Sequence, residues 1–531
     1  MKNINLLLYG DGETGQNTDA GTINDFYISD MGIEYIKNLE GFYNFETYRI
    51  FINTVSVPLT NPGKIIERQN ILKDFLEFPG IAQKMKLICD EIQQNKCRSD
   101  ETDPRNRLVD FKKILERSIN VSEELLAQLK YRDFCSDSLK DLRRQLDCRE
   151  KTESIISRIN MFIEHVVSSN LTLSLEYGSA FKFKSANIYS GEIKKSENAN
   201  ANAKSEQSLL KFFHNKMPKR RELTDGFFYG DGYALQAQVE GEKGILAHVL
   251  PYATSVVTEL NRHILSFCAE LSKQLSFYIA CIEIVKFMDN KQIKNVFPEI
   301  CTDKSNNAGK KIQAKNLLDF GLLLPKNYGD EGSVSDKITA NDFEDCENAV
   351  YLISGANQGG KTTFLKSVGI AQLFAQAGLK VPAEEYKCPV FNNFFSHFSK
   401  DEDEDLNFGK LAEELTRIKK AMPQIAGNAL VLFNESFATT TESEGFEIAS
   451  DILRALSEAE EPPKIFFVTH NYPLLKKRRE VSKLLANGAE IKNLIVREGE
   501  NPADRTYKIV EGEPQENINT MDFFEKLTKG E

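Results

Sequence analysis

The chain has 531 residues, 67 of them Lys or Arg and 78 Asp or Glu, for a net charge of −11. With 41% hydrophobic and 27% charged residues it has the composition of folded protein, and its length gives room for about three to five domains. The acidic balance excludes a protein that coats polyanions by bulk charge, while leaving room for local basic surfaces.

The nine cysteines are an odd number without C-x-x-C spacing, so neither a disulfide framework nor a zinc module is expected. The opening MKNINLLLYGDGETG holds an apolar patch too short for a signal-peptide core, and no run of about 18 apolar residues occurs. A cytoplasmic protein is the simplest expectation.

Residues 1–58 mix turn residues with aromatics, as in GFYNFETYRIF, and read as a short leader or cap. Residues 59–320 read as a helical region. In KIIERQNILKDFLEF, IAQKMKLICDEIQQ, LVDFKKILERS and ESIISRINMFIEHVV, apolar residues recur at three- and four-residue spacing. The polar stretch 191–208 reads as a solvated loop. After it, Lys216, Lys219, Arg220 and Arg221 are candidate contacts for nucleic-acid phosphates, equally readable as a solvated turn. Beyond Pro251 a run without Gly or Pro reaches about Asp289, with Val256, Leu260, His263, Phe267 and Leu271 on one face. It predicts a helix of about 55 Å, either a lever or a core helix.

In residues 321–531 short apolar strands alternate with helices: AVYLIS (349–354), ALVLF (429–433) and KIFFVT (464–469) read as buried parallel strands of an α/β domain. Directly after the first stands Gly355-Ala356-Asn357-Gln358-Gly359-Gly360-Lys361-Thr362, which satisfies G-x4-G-K-[ST] and opens a helix. Glycines let backbone N–H groups converge on phosphate oxygens, Lys361 reaches the terminal phosphates, and the Thr362 hydroxyl ligates magnesium. The predicted nucleotide-binding set is Gly355, Asn357, Gly359, Gly360, Lys361, Thr362 and Thr363.

The second strand ends in Asn434-Glu435. Glu435 is placed to orient or activate the attacking water. Asn434 sits where an Asp is expected, so the metal pair Thr362 and Asn434 carries no charge, and weaker magnesium binding and slower turnover are expected. His470, at the end of the third strand, is read as a hydrogen-bond partner of the γ-phosphate or of the attacking water. A buried structural histidine is its alternative.

These residues resemble the MutS mismatch-repair ATPases, part of the wider ABC-like group. The resemblance runs through GANQGGKTTFLKSVGIAQLFAQAGLKVPA (355–383), LVLFNESFATTTESEG (430–445) and FFVTHNYPLL (466–475), including the G-x-x-VPA segment Gly378–Ala383. It extends more weakly to IIERQNILKDFLEFP (65–79) and RTYKIVEGEP (505–514). The implied fold is a C-terminal α/β, ABC-like P-loop ATPase domain joined to an all-α core and lever. The implied cofactors are ATP and Mg2+. The implied assembly is a homodimer with composite ATP sites, clamping double-stranded or branched DNA without a membrane.

In that pattern Thr440 and Thr441 belong to a polar loop that crosses to the opposite subunit. Asn407–Glu414 is the signature segment offered to the partner's nucleotide, through Gly409 and Lys410. The chain departs from the pattern here, because Gly409 occupies the place of a phosphate-binding Ser. A further departure is expected at the N-terminus, since about 60 residues leave no space for the family's mismatch-reading domain with its Phe-x-Glu wedge. Nor is a nuclease-like module expected at the C-terminus. Alternatives to a DNA clamp are an ATP-driven remodeller of ribosomes or other RNA–protein complexes and a weakly hydrolysing, nucleotide-dependent scaffold.

Overall fold

The structure, a computed structural model, describes residues 5–8, 45–94, 104–147, 171–178, 182–190, 234–302, 311–323, 338–345, 349–398, 407–438, 440–486, 488–499 and 505–514. Helices α1 (Phe45–Ser56), α2 (Pro62–Glu77), α3 (Ile81–Gln94), α4 (Pro104–Leu129) and α5 (Asp137–Leu146) come first. They are followed by hairpin strands β1 (Leu171–Gly178) and β2 (Lys182–Ser190) and by the 57-residue helix α6 (Ala234–Asn290). Next come β3 (Glu299–Ile300), β4 (Gln313–Leu317), β5 (Asn341–Glu344), β6 (Ala349–Ser354), α7 (Lys361–Gln376), β7 (Glu385–Cys388) and β8 (Asn393–Phe398). The chain continues through α8 (Asn407–Ile425), β9 (Ala429–Asn434), α9 (Glu442–Ser457), β10 (Lys464–Val468), α10 (Tyr472–Lys476), α11 (Arg478–Ser482), β11 (Glu490–Glu498) and β12 (Arg505–Glu511).

Two compact units result. One holds Gly80–Leu275, the other Asn5–Pro79 with Ser276–Glu531, and the division falls inside α6. In the first unit Leu125, Leu126, Leu129 and Leu139 are buried. There Lys86 bonds both Asp90 (2.7 Å) and Ser272 (3.0 Å), so its burial is matched by polar partners.

In the second unit the main sheet has the order β12-β11-β6-β10-β9-β8, with every neighbouring pair parallel except β11 and β12. The central strands are apolar along their length because both faces are covered. Val350, Leu352, Val431, Phe433, Ile465 and Phe467 join one core cluster with Leu453, Leu456 and Leu474. Alternate residues build an aromatic layer: Tyr351 stacks on Phe466 with ring centroids 5.1 Å apart, and Phe343 meets Phe364 of α7 at 5.9 Å. A smaller sheet has the order β3-β7-β4-β5. Buried Asp345, just beyond β5, ties the two sheets by accepting from Lys464 of β10 and from Tyr351 of β6, both at 2.8 Å.

Residues read as a turn-rich leader include a helix. In α1, Phe51 and Val55 are fully buried and Ile50 nearly so, and the Phe51 ring lies 6.2 Å from Phe277 of α6. Their spacing makes one apolar face, which the surrounding Asn, Gly and Tyr residues obscure in the sequence. The long helix begins well before Pro251 and runs through it. A proline removes one intrahelical hydrogen bond and crowds one carbonyl, which kinks a helix more readily than it ends one between good helix formers. ESIISRINMFIEHVV and the basic candidates Lys216, Lys219, Arg220 and Arg221 lie outside the described residues. Among the described residues no helix is long and apolar enough to cross a membrane.

Candidate functional site

Strands β6, β10 and β9 are direct neighbours, so the loops leaving their carboxyl ends emerge side by side. The Glu435 N–H donates to the Val468 carbonyl (2.9 Å) and the Thr469 N–H to that of Ile353 (3.0 Å), which laces the three strand ends together. Each carries one of the sequence motifs.

The glycine loop needs its glycines. Gly355 has φ 130° and Gly360, the N-cap of α7, φ 92°, conformations that L side chains rarely adopt. A Cβ on Gly359 would come within 2.8 Å of the Val496 side chain and 2.9 Å of the Ala356 carbonyl. Gly359 is therefore required for space and Gly360 for backbone freedom. Asn357 and Gln358 are exposed at the loop tip, Thr363 is half-buried in the first turn of α7, and the α7 dipole points its positive end at the loop.

Lys361 donates through Nζ to the carbonyls of Gly355 (2.8 Å) and Ala356 (3.1 Å), which lays the ammonium along the loop. Burial pulls its pKa down and the nearby Glu435 charge opposes the shift. The Thr362 hydroxyl donates to the Asn434 amide oxygen at 2.9 Å, joining the first motif to the second. His470 Nε2 stands 3.4 Å from Glu435 Oε1. That hydrogen bond, with lesser help from the charges of His470 and Lys361, holds the Glu435 carboxyl below the usual range against the opposing effect of burial.

Lys361, Thr362, Asn434, Glu435 and His470 thus form one cluster within one chain. Both Glu435 and His470 keep about two-fifths of their side-chain surface exposed, so they face solvent rather than the core. The segment read as a signature, Asn407–Glu414, lies elsewhere, on the first turns of α8. Gly409 is exposed there with no heavy atom within 4 Å of where a Cβ would sit, and the side chain of Lys410 lies outside the described residues. Thr441 is the N-cap of α9, accepting from the Glu444 N–H at 3.3 Å, and Thr440 bonds the Glu444 carboxylate.

The family-type segment Gly378–Ala383 proves to be a structural joint. Gly378 has φ 80°, and a Cβ there would meet the Arg68 side chain at 2.9 Å. Arg68, fully buried on α2, donates to the carbonyls of Ala377 (3.4 Å) and Leu7. Val381 exchanges backbone hydrogen bonds with Val296 in both directions.

Five further residues lie near the cluster, none of them among the predicted site residues. Arg505 donates to Gln358 Oε1 of the glycine loop at 2.7 Å. Tyr507, partly exposed, lies on β12 with its backbone against Gly360. On the other side Ser436, next to Glu435, stands 2.8 Å from Nδ1 of buried His397, and Glu414 accepts from the Phe437 N–H. Arg505, Tyr507, His397 and Glu414 meet the site from strands or a helix distant in sequence, so no pattern local to the three strand-end motifs marks them.

Fold and cluster define an α/β protein with a helical region and a polar site at the carboxyl ends of a parallel sheet. Residues 351–519 match the family model MutS domain V. The chain is 24% identical over 499 residues to the DNA mismatch repair protein MutS of Listeria monocytogenes serotype 4a, covering 87% of this chain and 55% of that protein. It is 24% identical over 539 residues to the endonuclease MutS2 of Alkaliphilus oremlandii, covering 95% and 61%. Against the endonuclease MutS2 of Bacillus velezensis identity is 33% over 143 residues, 27% of this chain and 18% of that protein. Residues 351–519 thus match a MutS domain V, and most of the chain is similar to MutS and MutS2 proteins at modest identity. It spans a little over half the length of the MutS relatives it matches.

Proposed function

We propose that the chain is a P-loop ATPase that couples ATP binding and hydrolysis to clamping of DNA, as a homodimer with composite ATP sites. The observation that carries this reading is the meeting of Lys361, Thr362, Asn434, Glu435 and His470 at three adjacent strand ends. The glycine loop, with its positive φ angles and the helix start behind it, suits a triphosphate. Loop N–H groups and Lys361 Nζ bind phosphate oxygens, and Thr363 extends the loop into the helix.

The donor set also fits Mg2+. Thr362 Oγ1 and Asn434 Oδ1 are hard oxygens close together, and among the described residues no cluster of three or more His, Cys, Asp or Glu offers a protein-only cage. A site that completes its ligands with phosphate oxygens and water is the usual magnesium arrangement. Bound there, the ion would neutralise charge on the terminal phosphates. Asn434 adds no charge, which supports modest metal affinity.

Glu435 is ionised at neutral pH and accepts a hydrogen bond from the attacking water, and His470 fixes the direction of its carboxylate. Water attacks the γ-phosphorus, the bond to the β-bridging oxygen breaks, and ADP leaves while the water proton passes to the phosphate product. Exposed Gly409 at the start of α8 fits a surface offered to a second copy, with the helix N-terminus standing in for the absent Ser hydroxyl. The names of the curated relatives support DNA as the substrate of the clamp.

The test is binding of homoduplex, mismatched and branched DNA, with structured RNA and ribosomes alongside, across a salt series and with or without ATP. DNA binding that changes with nucleotide and weakens steeply with salt is expected. No DNA affinity at low salt, or binding to ribosomes alone, would overturn the clamp reading. Asn434 and Gly409 favour one second reading, a nucleotide-dependent scaffold, which requires that magnesium-dependent phosphate release be absent.

A further inference from the structure

The turn that carries Glu435 is strained on both sides of Ser436. Glu435 has φ 56° and Phe437 φ 64°, left-handed values uncommon for non-glycine residues and held only where the surroundings impose them. Three tethers do so. The Glu435 N–H donates to the Val468 carbonyl at 2.9 Å. Ser436, 5% exposed, stands 2.8 Å from His397 Nδ1 and 3.3 Å from the His397 carbonyl on β8. The Phe437 N–H donates to Glu414 Oε2 at 3.1 Å.

The third tether differs in kind. It is a carboxylate only 9% exposed, sent from α8 to a single backbone N–H 23 residues away. Burying a carboxylate is costly, and burial does raise the Glu414 pKa while the Phe437 N–H opposes the shift. A neutral side chain would fill that space at less cost. The helix that supplies it is itself fixed to the sheet, because Arg417 donates to the Ser396 carbonyl at 2.8 Å and lies over the Phe395 ring. Glu414 also closes the segment Asn407–Glu414 at the start of α8, in which Gly409 is exposed.

We propose that Glu414 is a positioning residue for Glu435: its bond to the Phe437 N–H sets the turn that aims the Glu435 carboxylate, so that a shift of α8 is felt at the attacking water. This rests on the reading of Glu435 as the carboxylate that orients water. Glu414 touches no reacting atom, and its effect passes wholly through the turn.

The test uses the full chain with Mg2+ and ATP. Steady-state phosphate release is measured for the native protein, Glu414→Ala, Glu414→Asp, Glu414→Gln and Glu435→Gln, and for Glu414→Ala combined with Glu435→Gln. Nucleotide affinity is followed with a fluorescent ATP analogue, since the chain contains no Trp. Glu414→Ala is expected to lower kcat by about 10- to 100-fold with KM and analogue affinity within about twofold, the scale of a slightly misplaced reacting group. Glu414→Gln, which keeps an acceptor oxygen, retains most of the rate. Glu414→Asp, which keeps the charge but withdraws it by one methylene, loses part of it and guards against misfolding of the Ala variant. Within the Glu435→Gln background, Glu414→Ala changes little more, since both act through one group. Native kcat in the Ala and Asp variants, parallel loss of rate and affinity, or an undiminished loss in the Glu435→Gln background would each overturn the proposal. Native turnover that does not depend on Glu435 would instead overturn the reading of Glu435, and the proposal with it.

Discussion

The two ends of helix α7 do opposite work. Its N-terminal end meets polar groups that open to solvent at one edge: Thr362 bonds Asn434, buried Lys361 lies along the glycine loop, and Glu435 pairs with His470, both about two-fifths exposed. At its C-terminal end everything is buried. Gln376 donates to the carbonyls of Leu59 (2.9 Å) and Phe391 (2.7 Å), and Arg68 reaches the Ala377 carbonyl beneath Gly378. Chemistry needs groups that can trade a protein partner for a ligand, whereas an anchor needs groups that cannot. Substitutions at the two ends should therefore separate activity from stability.

The largest expected effect is at the buried end. Gly378→Ala forces a Cβ against the Arg68 stem at a φ of 80° and should cost about 2–5 kcal/mol by urea or thermal unfolding. At the open end, Lys361→Ala should weaken ATP-analogue binding about 100-fold while the melting temperature moves by no more than about 3 °C. A large stability loss in Lys361→Ala, or unchanged stability in Gly378→Ala, would break the comparison.

Acid should probe an intermediate case. His397 is buried and its pKa is pushed down to about 4 by burial and by Arg417, against an ordinary value of 6.5. The unfolded chain therefore binds the proton more readily, so the His397 contribution is complete above about pH 6.5 and is lost as pH falls toward 4. Asp319, raised to about 6 by burial, titrates in the same window with the opposite sign. The measurement is thus the difference between native and His397→Gln, whose stabilities should converge by about 1–3 kcal/mol from pH 7 to pH 4. The smallest effect is expected at Gly409→Ser. The added side chain meets open space and restores a hydroxyl at the start of α8, so phosphate release should rise a few-fold, roughly 1 kcal/mol or less.

The open end of α7 was legible in the sequence and the buried end was not. AVYLIS coincides with β6, and β9 extends ALVLF only by Asn434, because a strand buried on both faces is a continuous apolar run. Motif chemistry is likewise local: a glycine loop acts through its own backbone. Glu414 and His397 lie 23 and 39 residues from their partners, and their roles depend on the strand order β10-β9-β8 and on the register of α8, neither of which is written in any local pattern. Arg68 is farther still, 309 residues from Ala377. Its helix was readable from apolar spacing, but nothing in that pattern says that a buried arginine will cap the end of α7. The missed helix α1 had the same cause at shorter range, since its apolar face is defined by what covers it.

The most direct test of the account is the Glu435→Gln protein, assayed for phosphate release from ATP with Mg2+ and for binding of a fluorescent ATP analogue. If the three strand ends form one hydrolytic site, turnover falls by about 100- to 1,000-fold while analogue affinity stays within about twofold of native. Native turnover in Glu435→Gln would contradict the central claim.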